Sequence, residues 1–342
     1  MVSKIEFYRK QEQASFLEPK EEFARKTVSF ELRKDCLTGH ASRLLPFRRK
    51  IPEISIDMNL IDSSKKTCPF CPERLTSVTP KFVPEIAPEG RLEKGDASLI
   101  PNASPYARHS WVVVLCKDHF LPMRQFSKEI LQNGFGLATE GIQRAWNHEG
   151  QTLYSSINWN YLPESGAGLF HPHLQVVVED YPTASHRRVL EGLKHYKERW
   201  GNGFWDDYLS EEIGRGERYV GNQKEIHFLM AFSPLGILGE LLILFAHKAS
   251  LKEVSSDDWE ALSEGLIRVF QFFEKKYIRS FNLSLFSGGE DATDWVYARL
   301  CPRILIPPWN TSDINYFEKL HDEVICVVSP EEMCKELKPF FS

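Results

Sequence analysis

Short apolar runs alternate with longer amphipathic stretches along this chain, which predicts strands and helices in an α+β fold. Residues 111–116 form a near-continuous apolar strand, and a helical pattern follows from Ser127, the predicted N-cap, to about His148. Strands are predicted next over 152–160 and 171–179. The first half therefore reads as a unit of strand, strand, helix, strand, strand.

The same order of elements recurs in the second half. Strands are predicted over 226–234 and 240–247, a helix from Ser255 or Ser256 to about residue 278, and strands over 282–287 and 295–301. The segment SPYARHSWVVVLCKDH resembles SPLGILGELLILFAHK, and an offset of about 125 residues extends the comparison into the later strands. We interpret this similarity as a duplicated α+β unit.

Three further segments flank these units. Residues 11–26 predict a short amphipathic helix, so residues 1–29 are expected to form an N-terminal helical segment. Residues 184–213 read as mostly helical, broken at Gly201-Asn202-Gly203. The tail predicts a strand over 323–328 and a helix over 330–337, with Ser329 as its N-cap.

Composition narrows the class of protein. With 342 residues, 42% hydrophobic and 26% charged, the chain is typical of a globular protein with one large or two medium domains. The net charge of -5 disfavours nucleic acid and anionic lipid as partners. The longest apolar run, residues 235–246, is too short to span a membrane. Seven cysteines and the lack of an apolar signal core predict a cytoplasmic location.

His171, His173 and Gln175 lie two residues apart in the stretch HPHLQVVVED, so in an extended strand their side chains share one face. The β-branched run after them favours a strand, and Gly166 and Gly168 allow backbone to approach a bound group closely. For a lone His-x-His pair, ordinary surface or core histidines are the simpler interpretation. A chemical role depends on which other side chains meet these histidines.

Cys68 and Cys71 form a Cys-x-x-Cys pair, which is typical either of half a zinc site or of a redox motif. The redox motif requires a helix directly after the pair, and Pro72 with the prolines beyond it disfavours that helix. Zinc is therefore favoured if two more ligands exist. His119, after the apolar strand, and His171 could supply them.

The chain thus combines Cys68-x-x-Cys71, a strand ending in Asp118-His119, and Asn160 eleven residues before His171-Pro172-His173-x-Gln175. This combination, within about residues 33–336, resembles the galactose-1-phosphate uridylyltransferase family, the two-repeat branch of the histidine-triad (HIT) superfamily. The resemblance implies antiparallel sheets with helices packed on them. It divides the chain into a first HIT-like repeat over 30–213 and a degenerate second repeat over 214–342.

The resemblance also implies chemical roles. His173 would be the nucleophile that attacks the α-phosphorus of a nucleoside diphosphate sugar, and Gln175 would hydrogen-bond the transferred nucleotidyl group. The structural Zn²⁺ ligands would be Cys68, Cys71, His119 and His171. A neutral imidazole suits this nucleophilic role, because a phosphoramidate intermediate divides one transfer into two easier steps.

Four more positions are implied to bind substrate. Arg48 matches a phosphate-binding arginine of the family, Asn102 an asparagine that contacts the nucleoside, and Asn160 an asparagine that places the phosphates. Gly168 and the backbone around it could bring N–H donors to the developing charge.

Several positions depart from the family pattern. Gly168 replaces a serine that contacts the leaving phosphate, Ala103 replaces a ribose-binding aspartate, Ile51 replaces a second phosphate arginine, and Ser287, Trp295 and Tyr297 stand where the second repeat of well-known members has iron-binding histidines. We therefore expect no second metal. The identities of the sugar and the base stay open.

The resemblance implies a homodimer that transfers a nucleoside monophosphate from a nucleoside diphosphate sugar to a sugar 1-phosphate or phosphate, as in galactose metabolism. A nucleotide-sugar or dinucleotide phosphorylase or hydrolase is the alternative enzyme. A zinc-stabilised nucleotide-binding protein without turnover is the alternative from another class. The retained His173 and Gln175 oppose it, because a pure binder has little use for an exposed nucleophile.

Overall fold

The elements predicted from periodicity in both halves are present, most of them within a few residues of the predicted bounds. The structure is a computed structural model that describes residues 4–45, 57–150, 154–288, 291 and 293–342. The helices are α1 (Met58–Lys65), α2 (Pro72–Val78), α3 (Lys128–Glu149), α4 (Ala184–Trp200), α5 (Phe204–Arg215), α6 (Ser256–Lys275), α7 (Tyr316–His321) and α8 (Pro330–Leu337).

Strands supply the frame that these helices cover. They are β1 (Arg9–Glu18), β2 (Ala24–Lys34), β3 (Ala41–Leu44), β4 (Leu92–Lys94), β5 (Ala97–Pro101), β6 (His109–Val114), β7 (Tyr154–Tyr161), β8 (His173–Glu179), β9 (Tyr219–Gln223), β10 (Ile226–Met230), β11 (Leu241–Phe245), β12 (Ser280–Ser287), β13 (Tyr297–Arg303), β14 (Leu305–Ile306), β15 (Thr311–Ser312) and β16 (Val324–Cys326).

Ten of these strands form one antiparallel sheet in the order β4-β5-β6-β8-β7-β12-β13-β11-β10-β9. The order β5-β6-β8-β7 of the first repeat recurs as β10-β11-β13-β12 in the second. β7 and β12 join the two halves. The duplicated α+β fold is therefore confirmed, whereas the boundary placed at 213–214 stays a prediction because both repeats share one sheet.

The two central helices, α3 and α6, pack beside each other on one face of this sheet. Ser127 caps α3 through the backbone N–H of Ile130, and Ser255 forms a capping box with Asp258 at the start of α6. The apolar side chains of the central strands, such as Trp159, lie beneath the helices and are fully buried. No helix in the described ranges is both long enough and apolar enough to cross a bilayer.

The opposite face of the sheet is apolar at its flanks and polar at its centre. On the second-repeat side, α4 and α5 cover a cluster that includes Leu244 and Tyr297. On the first-repeat side, Phe70 packs against the cluster of Val112 and Val114. Between these clusters the face carries polar side chains from β7, β8, β12 and β13.

The predicted N-terminal helix over 11–26, and with it the helical segment 1–29, is wrong. β1 and β2 form an antiparallel hairpin there, which continues through β3 to β16 as a four-stranded sheet. Phe16 and Phe23, which would supply the apolar side of such a helix, are 45% and 64% exposed. The ten paired residues give the facing backbone groups of both strands hydrogen-bond partners, which outweighs a weak helical periodicity in a strongly charged segment.

Candidate active site and metal centre

The histidine motif lies at the start of β8, in the middle of the ten-stranded sheet. β8 begins at His173, so His171 and Pro172 form its lead-in rather than its first residues. The proline has no N–H to donate, but its carbonyl accepts from the backbone N–H of Leu115 at 3.0 Å, which fixes the lead-in to the end of β6. Phe70 packs edge-on against the rings of both histidines.

Four predicted metal ligands, drawn from three separate segments, meet in a buried cluster. The ligand atoms of Cys68, Cys71, His119 and His171 all lie within 4.8 Å of one another. Sγ of Cys71 is 3.5 Å from Nδ1 of His119 and 3.8 Å from Nδ1 of His171, and Sγ of Cys68 is 3.7 Å from Nδ1 of His171. A tetrahedral zinc ion with ordinary bond lengths holds sulfur and nitrogen ligands about 3.6 Å apart. The cluster therefore has the size that zinc requires.

Hydrogen bonds around the cluster turn the correct nitrogens inward. Nε2 of His171 donates to the carbonyl of Cys116 at 2.8 Å, and Nε2 of His119 bonds the hydroxyl of Ser64 at 2.8 Å. Both Nδ1 atoms are thereby left to face the thiols, which is the arrangement found around bound metals. Burial lowers the pKa of His171 to about 4, so its imidazole is neutral, the form that binds a metal.

A short helix follows the Cys-x-x-Cys pair, contrary to the prediction from Pro72. α2 begins at Pro72, and proline is suited to a first helical position because the N–H it lacks would have no partner there. The expectation that Pro72 disfavours a helix after the pair is therefore wrong. The two histidines beside the thiols now favour a metal site instead.

A hydrogen bond to the backbone fixes the tautomer of His173. Its Nδ1 bonds the carbonyl of His171 at 2.7 Å, so Nδ1 carries the proton and Nε2 keeps its lone pair. The side chain is only 7% exposed, and burial lowers its pKa, which favours the neutral ring. A neutral imidazole with a free Nε2 can attack an electrophile or accept a proton.

Gln175 faces the same side of the sheet and is held by a residue that the sequence did not single out. The hydroxyl of Tyr106 donates to Oε1 of Gln175, which leaves the amide N–H groups of Gln175 free to donate. Asn158 bonds the backbone carbonyl of Gln175 at 3.3 Å. Tyr106 lies in the loop between β5 and β6, where hydrophobic periodicity carries no signal.

Of the other residues predicted to contact substrate, one makes local hydrogen bonds, one borders open space and one is outside the described residues. Asn102 makes local hydrogen bonds, accepting from the N–H of Ser104 at 2.9 Å and donating to Ser110 at 3.3 Å. A side-chain carbon added at Gly168 would meet nothing within 4 Å, so this position borders open space. Arg48 lies outside the described residues.

Asn160 is the fourth of these positions, and it lies on β7 at the junction with the second repeat. Its Oδ1 accepts a hydrogen bond of 2.6 Å from Nδ2 of Asn282 on β12. Asn282 is a second residue that sequence reasoning missed. The available signal was the alternation of polar Asn282 and Ser284 with apolar residues in that strand.

The position in the second repeat that is equivalent to His173 carries Tyr297. In the strand pairing, Tyr297 lies opposite Leu244 as His173 lies opposite Val114. The backbone N–H of Phe245 also donates to the carbonyl of the residue before Tyr297, as that of Leu115 does to the carbonyl of Pro172. Tyr297 is buried against Trp205. The second repeat therefore places an aromatic side chain where the first places His173.

The fold of the chain is that of the two-repeat HIT proteins. A structure of an ADP-glucose phosphorylase from Arabidopsis thaliana with bound ADP-glucose is similar, with a TM-score of 0.69, 17% identity and coverage of 90% of this chain and 98% of that one. A GalT-like protein from the same plant has a TM-score of 0.68 and 17% identity, with coverage of 90% of this chain and 98% of that one. A uridylyltransferase has a TM-score of 0.65 and 18% identity, with coverage of 91% of this chain and 98% of that one. The chain therefore has the fold of the galactose-1-phosphate uridylyltransferase family, which confirms the resemblance carried by its motifs.

A relative in sequence defines the family more narrowly. An uncharacterised protein of Archaeoglobus fulgidus is 30% identical over 315 residues, which are 91% of this chain and 92% of that protein. The chain belongs to one family with this archaeal protein. No described family profile matches it.

Proposed function

We propose that the chain is a nucleotidyltransferase that moves a nucleoside monophosphate from a nucleoside diphosphate sugar to a sugar 1-phosphate or to phosphate, through a nucleotidyl-His173 intermediate. The observation that carries this proposal is the orientation of His173, whose Nδ1 is held by the carbonyl of His171 while Nε2 is left with a lone pair. Among the described residues no hydrogen bond occupies Nε2, so this nitrogen is available to form a bond on the face that also carries Gln175.

The reaction balances in two displacements. Nε2 of His173 attacks the α-phosphorus, a P–N bond forms, and the P–O bond to the sugar phosphate breaks, so that the sugar 1-phosphate leaves with the electron pair. An oxygen of the incoming sugar 1-phosphate or phosphate then attacks phosphorus, and the P–N bond breaks. Throughout, the proton stays on Nδ1, where the carbonyl of His171 stabilises the positive charge of the substituted ring.

Two neighbouring groups support these steps. Gln175 presents its amide N–H groups, which can bond a non-bridging oxygen as charge develops, because Tyr106 occupies its carbonyl oxygen. A zinc ion held by Cys68, Cys71, His119 and His171 would supply rigidity rather than chemistry. It would anchor the lead-in to β8 two residues from the nucleophile.

The test is the intermediate itself. Purified protein is mixed with single nucleoside diphosphate sugars, among them UDP-glucose, UDP-galactose and ADP-glucose, without an acceptor, and its intact mass is measured. We expect the mass to rise by one nucleoside monophosphate with the true donor, and phosphate or a sugar 1-phosphate to remove the addition. Release by water alone would favour a hydrolase, and binding without any addition across the panel would favour a non-catalytic nucleotide-binding protein.

Gln175→Ala is expected to form the same adduct more slowly. Loss of one donor that stabilises transition-state charge costs about 10²- to 10³-fold in rate in comparable sites, while the nucleophile and its tautomer are unchanged. Rapid-quench measurement of adduct formation gives the rate. Gln175→Glu is the matched variant, since it keeps the acceptor for Tyr106 but removes the donor, and a wild-type rate in both variants would remove Gln175 from the mechanism.

A homodimer is also part of the proposal, with the segment after Pro302 as the part that reaches the partner. This segment exposes several large apolar side chains, including Trp309 at 83% and Leu320 at 78%. We expect light scattering to give twice the chain mass at assay concentration, and Trp309→Ser to shift the protein towards monomer. A wild-type monomer with full activity would contradict this.

All seven cysteines are free, which fits the proposed cytoplasmic location.

A further inference from the structure

A chain of side-chain hydrogen bonds runs from the second repeat into the candidate active site. Nη1 of Arg303 donates to Oδ1 of Asn282 at 2.5 Å. Nδ2 of Asn282 then donates to Oδ1 of Asn160 at 2.6 Å and to the carbonyl of Ser165 at 2.9 Å. This series of hydrogen bonds joins β13, β12 and β7 to the turn that leads to the histidine motif.

Arg303 cannot easily leave this position. It forms a paired salt bridge with Asp313, in which Nε lies 2.8 Å from one carboxylate oxygen and Nη2 lies 2.6 Å from the other. Asp313 is 5% exposed and also accepts the backbone N–H of Ile304. A largely buried, bidentate pair of this kind has a fixed geometry.

The donors and acceptors in this chain permit one orientation of each amide. An arginine has only donors, so it must face the oxygen of Asn282. The Ser165 carbonyl has only acceptors, so it must face the amino group of Asn282. The same amino group therefore meets the oxygen of Asn160, and the amino group of Asn160 is turned away from Asn282.

That free amino group lies on the face that carries the nucleophile. β7 and β8 pair with Asn158 opposite Gln175, and this is the last pair between the two strands. Asn160 and His173 each lie two residues beyond that pair in their own strands, so alternation puts their side chains on the same face. Side chains opposite each other in paired strands share one face of the sheet. Asn160 thus offers N–H donors, rather than a carbonyl oxygen, beside His173.

We infer that Asn282, fixed by Arg303, is a positioning residue that orients the Asn160 amide so that its N–H groups face the phosphates of a bound nucleotide. The inference rests on the proposed function in one respect, that a nucleotide phosphate occupies this face. With the opposite orientation, Asn160 would direct a carbonyl oxygen at a phosphate oxygen and repel it. The degenerate second repeat therefore contributes to the site by fixing an orientation.

The test is a double-mutant cycle read by nucleotide binding. The affinities of UMP and AMP are measured by titration calorimetry for wild type, Asn282→Ala, Asn160→Ala and the double variant. We expect Asn282→Ala to weaken binding of the accepted nucleotide about 10-fold in the wild-type background, the size of a lost hydrogen bond to a charged group. In the Asn160→Ala background the same change should weaken it by less than about 2-fold, because the residue through which it acts is absent.

Two further variants keep the test sharp. Asn282→Asp retains the acceptor for Arg303 but has no N–H for Asn160, so we expect it to weaken nucleotide binding at least as much as Asn282→Ala does. The loss should be larger in the wild-type background than in the Asn160→Ala background. Asn222→Ala is the matched control, because Asn222 lies on the edge strand β9 at one end of the sheet, where it also accepts a side-chain hydrogen bond and donates to a backbone carbonyl. This variant should bind as wild type does.

The possible results separate this inference from the proposed function. Unchanged binding in Asn282→Ala, or an equal loss in both backgrounds, would overturn the positioning role, as would a wild-type protein that binds neither nucleotide. The proposed function is judged separately by the mass of the wild-type adduct. If the variants show the expected non-additivity in UMP or AMP binding but the wild-type protein never forms an adduct, the positioning role of Asn282 would be supported and the proposed mechanism would be wrong.

Discussion

His173→Asn is expected to form no nucleotidyl adduct and to lose turnover by on the order of 10⁴-fold or more, as nucleophile deletions do in other covalent enzymes. Asparagine can still donate to the carbonyl of His171, so the local backbone should hold, but an amide nitrogen has no lone pair available for attack. His171 cannot replace the lost group, because hydrogen bonding and the metal cluster commit both of its nitrogens. Intact mass and steady-state rates measure the effect.

The fold of this variant must be intact for the result to count. Zinc content and the thermal midpoint should match those of wild type, because His173 is outside the metal cluster. His186→Asn is a suitable matched control. His186 is also a buried histidine, 4% exposed, but it packs against Tyr154 and Phe286 away from the site. A gain of one nucleoside monophosphate by His173→Asn would place the nucleophile elsewhere.

Cys68→Ser is expected to lose zinc, stability and activity together. Structural zinc binding contributes on the order of 10 kcal/mol to folding, and the cluster ties α2 and the segments before it to the lead-in of β8. We expect the thermal midpoint of the protein to fall by about 10 °C or more. Chelation of the wild-type protein should move it in the same direction, and elemental analysis should give one zinc per wild-type chain.

Cys334→Ser is the matched control for this prediction. Cys334 is likewise a buried free thiol, but it lies on α8 and bonds the carbonyl of Tyr219, outside the metal cluster. It should keep its zinc and most of its stability. Freshly purified, unchelated protein without zinc would remove the metal site, and iron at equal stoichiometry would contradict the expectation of no second metal at Trp295 and Tyr297.

Local patterns predicted most of the fold because they depend on local physics. Ser127, Ser255 and Ser329 each cap the helix that was expected to follow, since a hydroxyl that accepts a backbone N–H acts within three residues of chain. The duplication was visible for the same reason, because each repeat carries its own periodicities. The cluster of Cys68, Cys71, His119 and His171 was proposed from its ligand types, because a Cys-x-x-Cys pair needs two more ligands, and the family resemblance then joined its three segments.

The failures of prediction involve partners that are distant in sequence or weak in pattern. The hairpin β1–β2 depends on cross-strand pairing and on β3, which a helical periodicity in a charged segment does not reveal. The helix α2 was missed because Pro72 was weighed as a breaker rather than as a first helical residue. The contact between Asn160 and Asn282 spans 122 residues, and only the register between the two repeats brings them together.

The shared sheet has a consequence for the newly made chain. β7 lies at the centre of the finished sheet, but its partner β12 is translated more than a hundred residues later. Until then a first repeat that has already folded carries an open strand edge, which is a surface for wrong pairing with other chains. Conditions that slow or truncate synthesis between the repeats should therefore promote aggregation, even where the first repeat itself is unchanged.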